Sequence, residues 1–296
     1  MEYVVLNNGV RMPKLGYGVY QISKEECTQC VLDAIETGFR LIDTAQSYFN
    51  EAEVGEAIAR CCVPREELFI TTKVWIDNYG YEKCRASVLE SMRKLQVDYL
   101  NLILLHQPFS DYYGACRALE DLYAEGKVRA IGVSNFYPDR LSDICLFERK
   151  VIPQVNQVET NPHNAQFLAQ QNMEKYGVQI EAWAPFGEGR NNMFDNETLI
   201  AIGNKYGKSV AQVILRWLMQ RGVVALAKSV HKERMAENFN IFDFSLTAED
   251  MKAIASLDRA ESLFFSHIDP NMVEWFNTTV ISRRENQDHT KDKKNW

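Results

Sequence analysis

The chain repeats one pattern eight times: a short apolar or β-branched run is followed by a longer segment whose apolar residues have helical spacing. Strands that alternate with helices form βαβ units and therefore a parallel sheet. Eight such units in one chain predict a closed (β/α)8 barrel of the TIM type, and 296 residues suit one barrel with insertions. We therefore expect a single α/β barrel domain over residues 1–282.

The predicted strands are the apolar runs, and the predicted helices fill the segments that follow them. The strands are residues 15–19, 40–44, 68–74, 99–106, 128–134, 154–159, 179–184 and 223–228. The helices are residues 24–37, 52–62, 81–96, 112–125, 138–149, 165–176, 210–221 and 233–240. The run at 102–105 (LILL) is apolar throughout, which is typical of a strand buried on both faces.

A hairpin, two helices and a tail lie outside the eight repeats. Short strands at 3–6 and 10–12 flank Asn7-Asn8-Gly9, and Asn-Gly supplies the positive φ angles of a tight turn. We expect this N-terminal β-hairpin to plug the bottom of the barrel. Two extra helices are expected, at 197–206 and after Thr247, where Asp250 completes a capping box. The polar segment 283–296 has almost nothing to bury, which predicts a disordered tail.

Charge, hydropathy and cysteine content argue against several kinds of partner. The formal net charge is -7, and a mildly acidic chain is not attracted to nucleic acid or to an anionic membrane. We see neither a signal-peptide pattern nor an apolar run of the roughly 18–20 residues that a membrane span needs. The seven cysteines are an odd number in a chain too long for a secreted disulfide scaffold. These features predict reduced thiols in a cytoplasmic protein.

Four chemically active residues follow consecutive predicted strands. Asp43 ends the second strand and Tyr48 lies in its loop, while Lys73 and His106 end the third and fourth strands. The active sites of barrel enzymes lie at the C-terminal ends of the strands, so we expect these four side chains to meet at the barrel mouth. Each alone has an ordinary structural explanation, such as a salt bridge or a packed core histidine. Their occurrence together favours catalysis.

The four residue types suit the protonation of a carbonyl oxygen. A free tyrosine has a pKa of about 10, and we expect the Lys73 cation to lower the pKa of Tyr48. Asp43 would hold Lys73, and His106 would orient the substrate carbonyl. Tyr48 would then act as the general acid. None of these side chains supplies a hydride, so a cofactor is required.

At these positions the sequence resembles the aldo-keto reductases, most of all bacterial members such as the diketogluconate reductase-like group. The matching segments are 38–45 (GFRLIDTA), Tyr48 with Asn50-Glu51, 72–75 (TKVW), 104–106 (LLH), 126–136 (GKVRAIGVSNF), 154–159 (QVNQVE) and 228–230 (KSV). They occur in order over roughly residues 1–275. The resemblance implies that Asp43, Tyr48, Lys73 and His106 form the family's catalytic tetrad.

The resemblance also implies a nicotinamide cofactor, NADPH or NADP+, across the barrel mouth. A G-x-G-x-x-G motif is absent from the sequence, so a Rossmann domain is not indicated. The implied nicotinamide contacts are Ser134, Asn135, Gln157 and Trp183, where tryptophan takes the place of the family's stacking tyrosine. The implied contacts of the 2′-phosphate and the adenine are Lys228, Ser229, Val230, Arg234, Glu237 and Asn238.

Some positions depart from the family pattern or bear on specificity. Gln107 stands where many members have tryptophan, and Ala184 replaces a serine that contacts the pyrophosphate. Tyr20, Trp75 and Gln107 are our candidates for the substrate pocket. The loop 188–196 does not match the segment that closes over the cofactor in the family.

We therefore expect NADPH-dependent reduction of aldehydes or ketones to alcohols, by a monomer or weak dimer acting on a small carbonyl compound. One alternative is a non-catalytic NADPH-binding sensor or channel-associated subunit on the same fold. Another is a metal-dependent barrel hydrolase, which needs His and carboxylate ligands clustered at strand ends. Of the five histidines, His106 alone clearly ends a strand, so we expect no metal site.

Overall fold

A closed barrel of eight parallel strands forms the centre of the computed structural model, which describes residues 1–147 and 150–285. Every predicted strand is confirmed. Two short antiparallel strands, β1 and β2, precede the barrel strands β3 to β10, which pair in chain order, and β10 closes on β3. The strands are β1 Tyr3–Val5, β2 Arg11–Pro13, β3 Leu15–Gly18, β4 Leu41–Asp43, β5 Phe69–Val74, β6 Leu102–Leu105, β7 Ile131–Ser134, β8 Val155–Glu159, β9 Gln179–Trp183 and β10 Val224–Ala227.

The predicted helices are also found, with ends that differ by a few residues. They are α1 Lys24–Thr37, α2 Glu51–Arg60, α3 Tyr81–Leu95, α4 Tyr112–Ala124, α5 Pro138–Leu146, α6 Phe167–Lys175, α7 Glu197–Tyr206, α8 Val210–Gln220, α9 Lys232–Phe239, α10 Ala248–Ala255 and α11 Pro270–Glu285. The extra helices α7 and α10 were expected, and the capping box of Thr247 and Asp250 is present. Residues 148–149, at the predicted end of α5, lie outside the described residues.

The last helix, α11, was not predicted. It runs three residues into the segment 283–296, for which the sequence predicted disorder. Residues 286–296 lie outside the described residues, so disorder there stays a prediction. Within the described residues, no helix is both long and apolar enough to cross a membrane.

The N-terminal hairpin closes the lower end of the barrel, as predicted. Gly9 makes the turn with φ of 84°. Leu6 and Met12 are buried and pack into the same apolar cluster as the lower side chains of the barrel interior. The bottom of the barrel is therefore filled by apolar side chains, and the opposite end is where a ligand can enter.

The alternation of side chains along each strand decides which residues reach the upper interior. Successive residues of a strand point to opposite faces, so every second residue faces the barrel axis. Leu41, Phe69, Leu104 and Val155 belong to the apolar cluster inside the barrel. Two residues further along each strand lie Asp43, Thr71, His106 and Gln157, and Lys73 follows Thr71 on the same face. The sequence spacing therefore places polar groups directly above an apolar floor.

Candidate active site

Asp43, Tyr48, Lys73 and His106 meet at the upper end of the barrel. Asp43 ends β4, and a single 3₁₀ turn over Gln46–Tyr48 brings the tyrosine back over the mouth. Lys73 is completely buried in β5, and His106 follows β6. The three strands are neighbours in the barrel, which is why residues 63 positions apart in the chain share one site.

The Lys73 ammonium is the centre of this group. Its Nζ lies 2.5 Å from Asp43 Oδ1, 3.0 Å from the carbonyl oxygen of Thr44 and 3.4 Å from Tyr48 Oη. An ammonium has three N–H donors, so these three contacts use its full capacity. Burial alone would lower the pKa of Lys73, but the adjacent Asp43 carboxylate raises it above its ordinary value. Lys73 is therefore held as a cation beside the Tyr48 hydroxyl.

The pKa of Tyr48 does not move in the direction that the sequence suggested. Burial raises it to about 12, and this outweighs the lowering by the Lys73 cation. The expectation of a pKa below the ordinary value is therefore wrong for the free protein, because it counted the charge and neglected desolvation. The Tyr48 hydroxyl keeps its proton throughout the neutral pH range.

His106 is buried and surrounded by aromatic rings. Its ring centroid lies 5.8 Å from that of Tyr48 and 5.1 Å from that of Trp75. Ser47 Oγ lies 3.4 Å from His106 Nδ1. Sequence reasoning missed Ser47, although its place directly before Tyr48 in a loop at the mouth was the available signal.

A cavity of about 530 Å³ opens above the four residues. Three of them line it, namely Asp43, Tyr48 and His106. Its other lining residues include every predicted nicotinamide and substrate contact, together with one predicted contact of the 2′-phosphate, Lys228. These are Ser134, Asn135, Gln157, Trp183, Lys228, Tyr20, Trp75 and Gln107. The structure therefore gathers the predicted residues of the mouth around one space.

Two side-chain amides, one directly after β7 and one within β8, are fixed by their neighbours. Asn135 accepts a hydrogen bond from Trp183 Nε1 at 2.9 Å and donates one to the carbonyl oxygen of His106 at 3.1 Å. Gln157 Nε2 donates to Asp43 Oδ2 at 3.0 Å and to Glu181 Oε2 at 2.9 Å. Glu181, in the interior of β9, was missed by sequence reasoning.

The predicted phosphate and adenine contacts lie beside the cavity rather than in its lining, apart from Lys228. Ser229 is buried, and its hydroxyl accepts a hydrogen bond from the backbone N–H of His231 at 3.0 Å. Val230, Arg234 and Glu237 are exposed around the first turns of α9, and Asn238 is buried. The loop before α9 and the first turns of that helix thus form one exposed surface next to the mouth of the barrel.

The C-terminal segment contributes a further wall of the cavity. Phe265, Trp275 and Phe276 line the cavity. His267 Nε2 lies 2.9 Å from Gln107 Oε1, which ties this segment to the loop after β6. Among the described residues there is no group of three or more His, Cys, Asp or Glu side chains that suits a metal ion.

The fold and this site define an aldo-keto reductase. The chain belongs to the aldo/keto reductase family, whose sequence model matches residues 12–259. It is 47% identical over 262 residues to glyoxal reductase of Bacillus subtilis, a match that covers 88% of this chain and 94% of the relative. Methylglyoxal reductase DkgA of Escherichia coli is 39% identical, with 88% and 94% covered. The predicted similarity to bacterial members is confirmed.

Solved structures agree with this assignment. An aldo-keto reductase of Bombyx mori, solved in complex with NADP, superimposes with a TM-score of 0.85 at 34% identity. The match covers 92% of this chain and 96% of that chain. The predicted barrel fold is therefore confirmed by its own topology and by a solved relative.

Proposed function

We propose that the protein reduces aldehydes and ketones to alcohols with NADPH, and that Tyr48 is the proton donor. The observation that carries this proposal is the position of the buried Lys73 ammonium, 2.5 Å from Asp43 and 3.4 Å from the Tyr48 hydroxyl. The hydroxyl lines the same cavity as His106. A protonated phenol, a fixed cation and a nearby imidazole are the groups that carbonyl protonation needs.

Each residue has a distinct part in the proposed reaction. His106 and Tyr48 orient the carbonyl oxygen, and Tyr48 Oη gives its proton to that oxygen as the carbon is reduced. Lys73 stabilises the phenolate left behind, and Asp43 keeps Lys73 in place and charged. When bound, the nicotinamide supplies the hydride. Tyr48 regains its proton before the next turnover.

The residues of the mouth fit a nicotinamide. Both N–H groups of the Gln157 amide point to buried carboxyl oxygens, so its carbonyl oxygen remains as the acceptor for a carboxamide NH₂. Asn135 and Ser134 stand next to it on β7, and the flat ring of Trp183 lies beside the cavity. Trp183 is fixed by its hydrogen bond to Asn135, which suits a ring that stacks on a planar cofactor.

Preference for NADPH over NADH is assigned to Lys228 and Arg234. An exposed helix start with two cations suits the 2′-phosphate, which Arg can bind with two parallel hydrogen bonds. A hydrogen bond to a charged group contributes roughly 1.5–3 kcal/mol, so Arg234→Ala should weaken NADPH binding on the order of 10–100-fold. NADH binding should barely change.

Fluorescence titration of Arg234→Ala with each cofactor tests this preference. Lys232→Ala is the matched control on the same helix turn, because Lys232 is paired with Glu36 at 2.5 Å. Equal weakening of NADPH and NADH would mean that Arg234 supports the fold or the adenosine. A wild-type preference for NADH would overturn the assignment of NADPH.

The substrate is proposed to be a small carbonyl compound, such as glyoxal or methylglyoxal. The support is the similarity to the two bacterial reductases named for these compounds. Tyr20, Trp75 and Gln107 line the cavity next to Tyr48 and His106, so they are the residues that a substrate would touch. We propose that the protein works in the cytoplasm as a monomer or weak dimer.

Loss of NADPH absorbance with a panel of aldehydes, ketones and keto-sugars tests the proposed function. Steady consumption that depends on the carbonyl compound is expected, and it should be lost in Tyr48→Phe. NADPH binding without turnover of any compound would favour the non-catalytic sensor. Activity that chelators abolish would favour a metal-dependent reaction instead.

A further inference from the structure

A second carboxyl group, that of Glu181, is buried beside the four residues of the active site. Glu181 is completely inaccessible to solvent and lies directly across from Gln157 in the pairing of β8 with β9. Its Oε2 accepts the hydrogen bond from Gln157 Nε2 at 2.9 Å. Its Oε1 is buried without a hydrogen-bond partner. The reaction steps proposed above assign no role to this residue.

The cation that acts on Glu181, the Lys73 ammonium, makes its hydrogen bonds with other groups. The charged groups that act on it are Asp43 from β4 and Lys73 from β5. The three N–H groups of Lys73 donate hydrogen bonds to Asp43, Thr44 and Tyr48. From β8 Glu181 faces the uncharged Gln157 amide, and its partner position on β10 is Val224. A buried carboxylate with one hydrogen bond is unfavourable, whereas a buried neutral acid costs far less.

The direction of the pKa shift of Glu181 agrees with this geometry. Burial, followed by repulsion from Asp43, raises the pKa of Glu181 to about 8. Burial raises the pKa of Asp43 as well, but the bonded Lys73 ammonium and Gln157 amide counteract this, so Glu181 is the carboxyl of the two that holds a proton at neutral pH. The charges of Asp43 and Lys73 then balance without Glu181.

The position of Glu181 bears directly on the amide of Gln157. If that amide were rotated by half a turn, its carbonyl oxygen would face Asp43 Oδ2 and Glu181 Oε2. The ionised Asp43 would then receive no hydrogen bond from Gln157. The observed orientation directs the NH₂ group of Gln157 into the barrel and leaves Gln157 Oε1 as an acceptor for a ligand in the cavity.

We propose that Glu181 is a positioning residue of the cofactor site, which holds the Gln157 amide with its oxygen toward the nicotinamide and does so as an uncharged acid. This inference rests on the proposed use of a nicotinamide cofactor. The charge of Glu181 also affects the oxidised and reduced forms of the cofactor differently, because the oxidised nicotinamide ring carries a positive charge and the reduced ring does not. At alkaline pH the Glu181 carboxylate therefore strengthens the binding of the oxidised cofactor relative to the reduced one.

The charge of Glu181 is tested on the free protein. An infrared difference spectrum between about pH 6.5 and about pH 9.5 brackets the pKa of about 8. The wild type should lose the C=O stretching band of a protonated carboxylic acid over this interval, and Glu181→Gln should not. An identical difference spectrum for both proteins would overturn the assignment of an uncharged acid, whatever the cofactor.

The positioning role is tested by cofactor titration. Glu181→Met keeps the length of the side chain and removes the acceptor, so it should weaken NADPH binding roughly 3–10-fold, the range expected for one hydrogen bond. Glu181→Gln retains an acceptor oxygen and should restore binding to within about twofold of the wild type. Wild-type affinity in Glu181→Met with an unchanged melting temperature would overturn the positioning role.

The effect of pH on the binding of NADP+ relative to NADPH distinguishes the proposed role of Glu181 from a merely structural one. In the wild type, the ratio of the Kd for NADP+ to the Kd for NADPH should fall on the order of 3–10-fold as the pH rises through about 8. The 2′-phosphate titrates equally in both cofactors and cancels in the ratio. The ratio should stay constant in Glu181→Gln, and a fall of equal size in that variant would overturn the proposal. Failure of the wild type to bind either cofactor would contradict the proposed function, and the infrared result would still decide the charge of Glu181.

Discussion

Tyr48 shows how burial and charge compete at a single residue. The Lys73 cation lowers the pKa of this phenol, but removal of the ring from water raises it further, to about 12. The phenol therefore keeps its proton at neutral pH, but a pKa this far above the working pH makes it a weaker proton donor in the free protein than an ideally tuned general acid. The presence of Lys73 was readable from the sequence, while the depth of the site was not, because burial depends on the closure of all eight strands.

Replacement of Tyr48 by phenylalanine should separate chemistry from binding. The change removes the proton donor and keeps the ring, so turnover should fall by ~10²–10⁴-fold, the usual contribution of general acid catalysis. NADPH affinity, measured by fluorescence titration, should be preserved. The matched control is Tyr20→Phe, since the Tyr20 ring lies 4.9 Å from that of Tyr48 in the same cavity. More than half the wild-type turnover in Tyr48→Phe, with chemistry rate-limiting, would contradict the assignment of the proton donor.

At the scale of elements, the strands and their alternation were the most predictable features. Each apolar run became a barrel strand, and the two-residue spacing that put Phe69 inside the barrel also put Lys73 there. The same spacing was available for Glu181, which stands two residues before Trp183 in β9. The position of Glu181 in an apolar run does not predict its neighbours, because its interactions with Gln157 and Asp43 require the assembled barrel.

The C-terminal elements were less predictable. Among the residues of helix α11 whose burial is described, 270–278, Phe276 is buried and the others are partly or fully exposed. Its packing comes from aromatic contacts with Trp75 and Phe109, which belong to loops far away in the sequence. Such contacts leave no local periodicity. The sequence pattern therefore does not indicate the helix that brings these aromatic residues to the pocket.

Close packing of neighbouring strands gives a prediction for β7. A Cβ atom on Gly132 would lie 2.5 Å from the carbonyl oxygen of Val155 and 2.6 Å from Leu104 Cδ2. Backbone on the next strand cannot yield easily, so Gly132→Ala should lower the stability by about 1–3 kcal/mol, the usual cost of overpacking. Gly18→Ala in β3 is the control, because its nearest atom, Leu226 Cβ, is 4.0 Å away. Equal melting temperatures for the two variants would contradict this account of the glycine in β7.

The whole molecule joins an apolar lower half to a polar upper half inside one barrel. The hairpin and the lower side chains form an apolar floor, with Met12 and Leu102 completely buried. Directly above, Asp43, Lys73 and Glu181 are removed from water, although charged groups are poorly accommodated there. Residues arranged for function at the expense of stability are common in enzymes. The upper interior should therefore be a place where substitutions can raise the stability of the protein.

Glu181→Gln should stabilise the protein, and increasingly so as the pH rises. The pKa of Glu181 is about 8 in the folded protein against its ordinary value of 4.5. Between these values the folded state binds more protons than the unfolded state, so stability falls as the pH increases. Glutamine removes this dependence. Melting temperatures should be similar near about pH 5, and the variant should melt higher, on the order of 5 °C, near about pH 8.

A carboxyl group with the opposite shift is the control for this experiment. Hydrogen bonds from Tyr206, Lys205 and Thr247 outweigh the effect of burial and lower the pKa of Asp250 to about 2. Its contribution to stability is therefore present above the ordinary pKa and is lost only as the pH falls through about 2. Asp250→Asn should lower the melting temperature by a nearly constant amount between about pH 5 and about pH 8. A constant difference for Glu181→Gln over the same range would show that Glu181 is already ionised in the folded protein at neutral pH.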